Sequence, residues 1–123
     1  MAEKIEYFSQ LRVWQKAHRL VLEIYRLTKN FPSEEKFSLV QQMRRAAVSV
    51  PANIAEGFKK RGVRNKLNFY NISQGSLEEL KYYIILAGDL GYLNNQQTLT
   101  VQSNDVARTL NALILSIEEK NAD

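Results

Sequence analysis

The 123-residue chain has no cysteine, one histidine, two prolines and five glycines. Without cysteine there is no disulfide framework, no thiolate metal site and no cysteine nucleophile, and the chain is indifferent to redox compartment. The lone imidazole, His18, has no nitrogen or sulfur partners with which to build a metal centre, so neither a metal nor a cofactor is expected. There is no Gly-rich phosphate loop and no nucleophile-elbow serine. The carboxylates Glu56, Glu78 and Glu79 are explained by helix-surface ion pairs, so no catalytic residue and no enzymatic activity is expected. No apolar run approaches the ~20 residues that span a bilayer, and the opening MAEKIEYF lacks the apolar core of a signal peptide. A cytoplasmic location without a membrane partner is expected.

With so little to interrupt it, apolar spacing is helical almost throughout. A single all-α domain over residues 1–123 is expected, with an N-terminal arm at 1–9 and a core at 10–121. Four helices are read, at about 11–30, 34–60, 64–90 and 98–120. The first carries Trp14, Ala17, Val21, Ile24, Thr28 and Phe31 and ends before Pro32. The second, capped by Ser33, carries Val40, Met43, Ala47, Val50, Ile54 and Phe58, with a kink expected at Pro51, where a backbone donor is missing. A break with a fresh start at Pro51 is the alternative. The third carries Phe69, Ile72, Leu80, Tyr83, Ala87 and Leu90, with Ser76 in the middle of the line and Gly75 beside it as small residues for a close helix approach. Gly91 closes this helix in the left-handed conformation. The fourth shows Leu99, Val106, Leu110, Leu113 and Ile117. Short loops make consecutive helices antiparallel neighbours, so the expected fold is an up-down-up-down four-helix bundle.

One bundle does not use all the apolar surface. Leu11, Val13, Leu20, Leu22, Tyr25 and Leu27 spread around helix one, Leu67, Tyr70, Tyr82 and Ile85 around helix three, and Leu113, Ile114 and Leu115 run unbroken in helix four. Helices apolar beyond one face bury the excess elsewhere, which implies a homo-oligomer.

Charge is polarised. Residues 1–62 hold twelve Lys/Arg against six Asp/Glu and residues 63–123 five against seven, within a net charge of +4 and a pI near 9.4. Lys59, Lys60, Arg61, Arg64 and Lys66 place five cations in eight residues, more than closing a helical hairpin requires. Such a turn neutralises phosphates without reading sequence, and Arg12, Lys16, Arg19 and Arg26 line one side of helix one beside it. Aromatic interleaving is thin, so base stacking is not indicated; a merely solvated basic turn is the competing reading. Opposite the apolar stripe of helix two lie Gln42, Arg45, Ser49, Asn53 and Glu56. These residues read either as a solvated face or as a buried polar network containing an Arg45–Glu56 pair.

The segments LRVWQKAHRLVLEIYRLTKNFP, QQMRRAAVSVPANIAEGFKKR and ISQGSLEELKYYIILAGDLGYL, in this order over residues 8–93, resemble the bacterial four-helix-bundle proteins first noticed as reading frames inside intervening sequences of 23S ribosomal RNA genes. The resemblance implies a bundle whose second helix continues through Pro51 and a homopentamer around a central channel. It also implies a set of signature positions without assigned roles: Gln42, Arg45, Ser49, Pro51, Asn53, Glu56, Gly57, Ser76 and Glu79. The architecture is similar to that of the accessory protein of diversity-generating retroelements, which binds nucleic acid and a reverse transcriptase. The expected function is therefore that of a non-enzymatic oligomeric bundle binding RNA or DNA, structured RNA foremost. An oligomeric scaffold that recruits a protein partner without nucleic acid is the alternative.

Overall fold

The computed structural model describes residues 4–122, so the first three residues of the arm and Asp123 lie outside the described residues. Among the described residues there are four α-helices and no strand: α1 (Arg12–Thr28), α2 (Leu39–Lys59), α3 (Val63–Asp89) and α4 (Gln96–Lys120), with short 3-10 turns at Phe8–Gln10 and Ser33–Glu35. Each helix packs on its neighbours in sequence and α4 returns to α1, giving a four-helix bundle around one apolar core. No helix among the described residues is long and apolar enough to cross a membrane.

The core of α2 follows its 3.6-residue pattern: Val40, Met43, Ala47, Val50 and Ile54 are buried, and the helix passes unbroken through a buried Pro51. It starts later than the Ser33 cap suggests. Ser33 opens only a 3-10 turn, and Ser38, with φ −124° and ψ −102°, separates that turn from α2. The segment between offers the core nothing to bury, since Phe37 is 82% exposed. Glu35 is drawn elsewhere, accepting a hydrogen bond from the Tyr92 hydroxyl at 2.8 Å.

On α1, Ala17, Val21, Ile24 and Thr28 are buried as expected, but Val13 and Leu20 belong to the core too and are not surplus surface. Trp14 sits at its edge, where Phe8 meets it edge-on at 5.1 Å and the exposed His18 stacks on it at 5.0 Å. The α3 stripe is rotated by about one residue from the expected line. Tyr70, Ser73, Leu77, Leu80, Ile84 and Ala87 are buried, whereas Ile72 and Leu90 are exposed. Two contacts with α2 set this phase: the Ser73 hydroxyl donates to the Val50 carbonyl at 2.8 Å, and the Tyr70 ring lies against Gly57. Gly75, expected at a close helix approach, has open space beside it; the close approach is at Gly57.

Gly91 ends α3 at φ +81°. Tyr92 N–H donates to Ala87 O and Gly91 N–H to Gly88 O, the paired bonds of a Schellman cap. Leu93 then folds into the core and Tyr92 packs on Phe31, ring centres 5.3 Å apart.

Burial pushes the Tyr70 phenol up from 10.0 to about 12. A raised pKa in the fold means that its contribution is intact below the unfolded value and lost as pH rises through the folded one. Stability is therefore expected to fall between pH 10 and 12, and to fall less in Tyr70→Phe, when denaturant midpoints are followed against pH.

Candidate nucleic-acid interface

Pairs across α2 and α3 run in opposite directions along the two helices: Arg45 with Glu79, Ser49 with Ser76, Gly57 with Tyr70. Between α1 and α2 the same reversal appears, Arg44 reaching Thr28 while Trp14 shares an apolar groove with Ala55. The start of α1 therefore lies at the bundle end that carries the basic turn. Arg12 is there, exposed; Arg19, also exposed, lies further along α1.

Folding divides the five cations of the turn. Lys66 is turned inward, its ammonium donating to the carbonyls of Gly57 at 3.1 Å and Phe58 at 2.7 Å. It thus caps the C-terminus of α2, where backbone acceptors and the helix dipole favour a cation. Its Nζ lies near the rings of Phe58 and Tyr70, and burial lowers its pKa. Lys60 is half-buried over the Phe69 ring at 5.1 Å and 3.8 Å from the Glu56 carboxylate. Lys59, Arg61 and Arg64 are exposed and have no carboxylate within ion-pair distance among the described residues.

Helix one is divided the same way. Lys16 joins α1 to α4, at 3.0 Å from Asp105 Oδ2 and 3.1 Å from Thr109 Oγ1, and the bond it donates to Asp105 leads in holding that carboxyl below its ordinary range. Arg26 pairs with Glu23 one turn earlier. The expected stripe of four cations is thus reduced to Arg12 and Arg19.

The polar set of α2 is tied to α3 in two groups. Arg45 donates to Gln42 Oε1 at 2.8 Å and to Glu79 Oε2 at 3.0 Å, and the Tyr83 hydroxyl donates to the same Glu79 oxygen at 2.7 Å. The Tyr83 bond, helped by Arg45, lowers the Glu79 pKa. One turn along, the Ser49 and Ser76 hydroxyls meet at 2.7 Å, and Asn53 Nδ2 donates to Ser49 O at 2.8 Å and Oγ at 3.0 Å. The network lies along the outer seam and is at most half-buried: the Arg45 and Glu79 side chains are 58% and 39% exposed, and Ser49, Asn53 and Ser76 are half-buried. Glu56 is outside it. The expected Arg45–Glu56 pair is replaced by Arg45–Glu79, because the register of α3 brings Glu79 beside Arg45, and Glu56 faces Lys60 on its own helix. Glu56→Ala is accordingly expected to cost no more than about 0.5 kcal/mol in denaturant melts, the scale of an exposed i,i+4 pair.

Beyond the turn, α3 carries side chains that charge counting overlooks. Asn65, Asn68, Asn71 and Gln74 recur every three residues and line a trough of ≈ 840 Å³ between α3 and α4, with Gly62 and Arg64 of the turn also in its lining. Their signal was available in the sequence: Asn68 and Asn71 lie within α3, soon after a cationic turn, and asparagine there costs helix propensity that a solvated face does not require.

No curated protein matches the chain. A crystal structure of a protein of unknown function from the S23 ribosomal protein family of Bacteroides thetaiotaomicron superposes with a TM-score of 0.76, at 24% identity, over 83% of this chain and 94% of that one. At that identity the likeness establishes the shared fold. The family described as 23S rRNA-intervening sequence protein matches residues 9–112, through the helices and the basic turn described above, and the chain belongs to that family.

Proposed function

We propose that the chain is a non-enzymatic, cytoplasmic, homo-oligomeric bundle that binds RNA through phosphate contacts at the α2–α3 turn. The observation that carries this reading is the group Lys59, Arg61 and Arg64, exposed at one turn and unpaired among the described residues. Cations consumed by the fold need no further explanation; these three make no ion pair and no side-chain hydrogen bond among the described residues, although Lys59, in the last turn of α2, also suits the helix dipole. The descriptions of the family and of the Bacteroides protein refer to ribosomal RNA and to a ribosomal protein family, which favours RNA over other polyanions. Anisotropy titrations of a labelled RNA hairpin at increasing salt test it. Three phosphate contacts give a log–log slope of about −2.7 per engaged subunit. Absence of binding at low salt would overturn the reading.

The oligomer, with five subunits expected from the resemblance, is supported by apolar side chains that the single chain leaves in water. Leu22, Tyr25, Val48 and Phe37 are exposed along α1, α2 and their connection. A contact between copies removes them from solvent. Light scattering at micromolar concentration is expected to give a multiple of 14.2 kDa; the mass of one chain would contradict assembly. The same face also fits a protein-recruiting scaffold, which is the better account if a partner is retained at high salt and RNA does not bind.

A further inference from the structure

The trough between α3 and α4 differs chemically from the turn that opens into it. Phosphates need only donors, and Arg61 and Arg64 supply them. The amides of Asn65, Asn68, Asn71 and Gln74 each present a donor and an acceptor, the complement of a nucleobase edge. None of the four makes a hydrogen bond within the chain among the described residues, so their polar atoms are available to a ligand. Leu67 and Ile114 give the trough apolar walls against which a flat ring can lie, and Glu118 stands within the lining. A carboxylate there repels phosphate and accepts from an exocyclic amino group.

We propose that this trough holds an unpaired base of a bound RNA strand, with adenine preferred, read by the α3 amides while Arg61 and Arg64 hold the flanking phosphates. The proposal deepens the RNA reading above and rests on it. Geometry supports the division of labour. Gly62 and Arg64 border the trough, so a strand lying across the turn has its bases beside the first turns of α3. An unpaired base is required, since base edges in a duplex are already paired and the deep groove of A-form RNA does not admit side chains. Adenine is favoured over uracil because, although a carboxamide can make two hydrogen bonds to either base, only adenine carries an exocyclic amino group that can also donate to Glu118.

The test compares an oligouridine with the same strand carrying one central adenosine, by anisotropy at fixed low salt. The wild-type protein is expected to bind the adenosine strand about tenfold more tightly, the scale of one extra hydrogen bond to a charged group, here Glu118, made by a base that the amides hold in place. Asn68→Ala with Asn71→Ala, both at exposed positions, is expected to abolish that preference, leaving the salt slope and the thermal midpoint unchanged. Equal binding of the two strands by the wild type, or a double variant that weakens both strands by the same factor, would overturn base reading and leave phosphate binding standing. Failure of the wild type to bind either strand would overturn both.

Discussion

Replacing Lys59, Arg61 and Arg64 together with glutamine is expected to lower RNA affinity at least tenfold at low salt and to flatten the log–log salt slope by about 2.7 per engaged subunit, since each lost phosphate contact removes about 0.9. The three side chains are exposed and make no ion pair among the described residues, so the thermal midpoint should not move. That combination separates a binding defect from a folding defect. Including Lys66 would confuse the two, because its ammonium caps the carbonyls of Gly57 and Phe58. Lys60, packed over Phe69, is a poor choice for the same reason. Adding Arg12→Gln should deepen the loss if the RNA also reaches α1. Binding that is unchanged in the triple variant would move the interface away from the turn.

Gly57→Ala is expected to destabilise the bundle by about 1–3 kcal/mol, the usual cost of overpacking a tight core. Helix propensity alone argues the opposite, since alanine is favoured over an interior glycine by about 1 kcal/mol. The added methyl would sit 2.8 Å from Tyr70 Cε1 and 3.0 Å from Phe69 Cβ. Tyr70 is only 1% exposed and is held on the core side of α3, so its ring has no open space to enter. The steric term therefore exceeds the propensity gain. Gly75→Ala is the matched control: with nothing near its would-be Cβ, it should be neutral or slightly stabilising. Equal denaturant midpoints for the two variants would remove the α2–α3 contact as the element that fixes the phase of α3.

The helices were legible in the sequence wherever one apolar stripe stood alone. On α2, a single line from Val40 to Ile54 faces the core, and Gly91 marks the end of α3 because a left-handed residue is needed there. On α3 the phase was not legible. Phe69, Tyr70 and Ile72, then Tyr82, Tyr83, Ile84, Ile85 and Leu86, put apolar side chains all round the helix, so several lines fit the period equally well. What chooses among them is complementarity with Gly57 and Val50 on another helix, which periodicity does not carry.

The candidate site shows the same division. Composition located the basic turn but not which cations folding would consume: Lys16, Lys60 and Lys66 each satisfy a partner supplied by tertiary structure. Likewise the polar residues Arg45, Ser49 and Asn53 stood out as poor helix formers, yet Arg45's partner depended on the register between α2 and α3. Asn68 and Asn71 of α3 carry the same propensity signal, masked by the denser cluster of charge beside them.

Titrating the isotope-labelled protein with an RNA hairpin and following backbone amide resonances locates the interface most directly. RNA binding at the turn is expected to shift residues 59–64 and, if a base enters the trough, 65–74 as well, with Leu22, Tyr25 and Val48 unaffected. Shifts confined to the α1–α2 face, or no shifts at low salt, would contradict RNA binding through the α2–α3 turn.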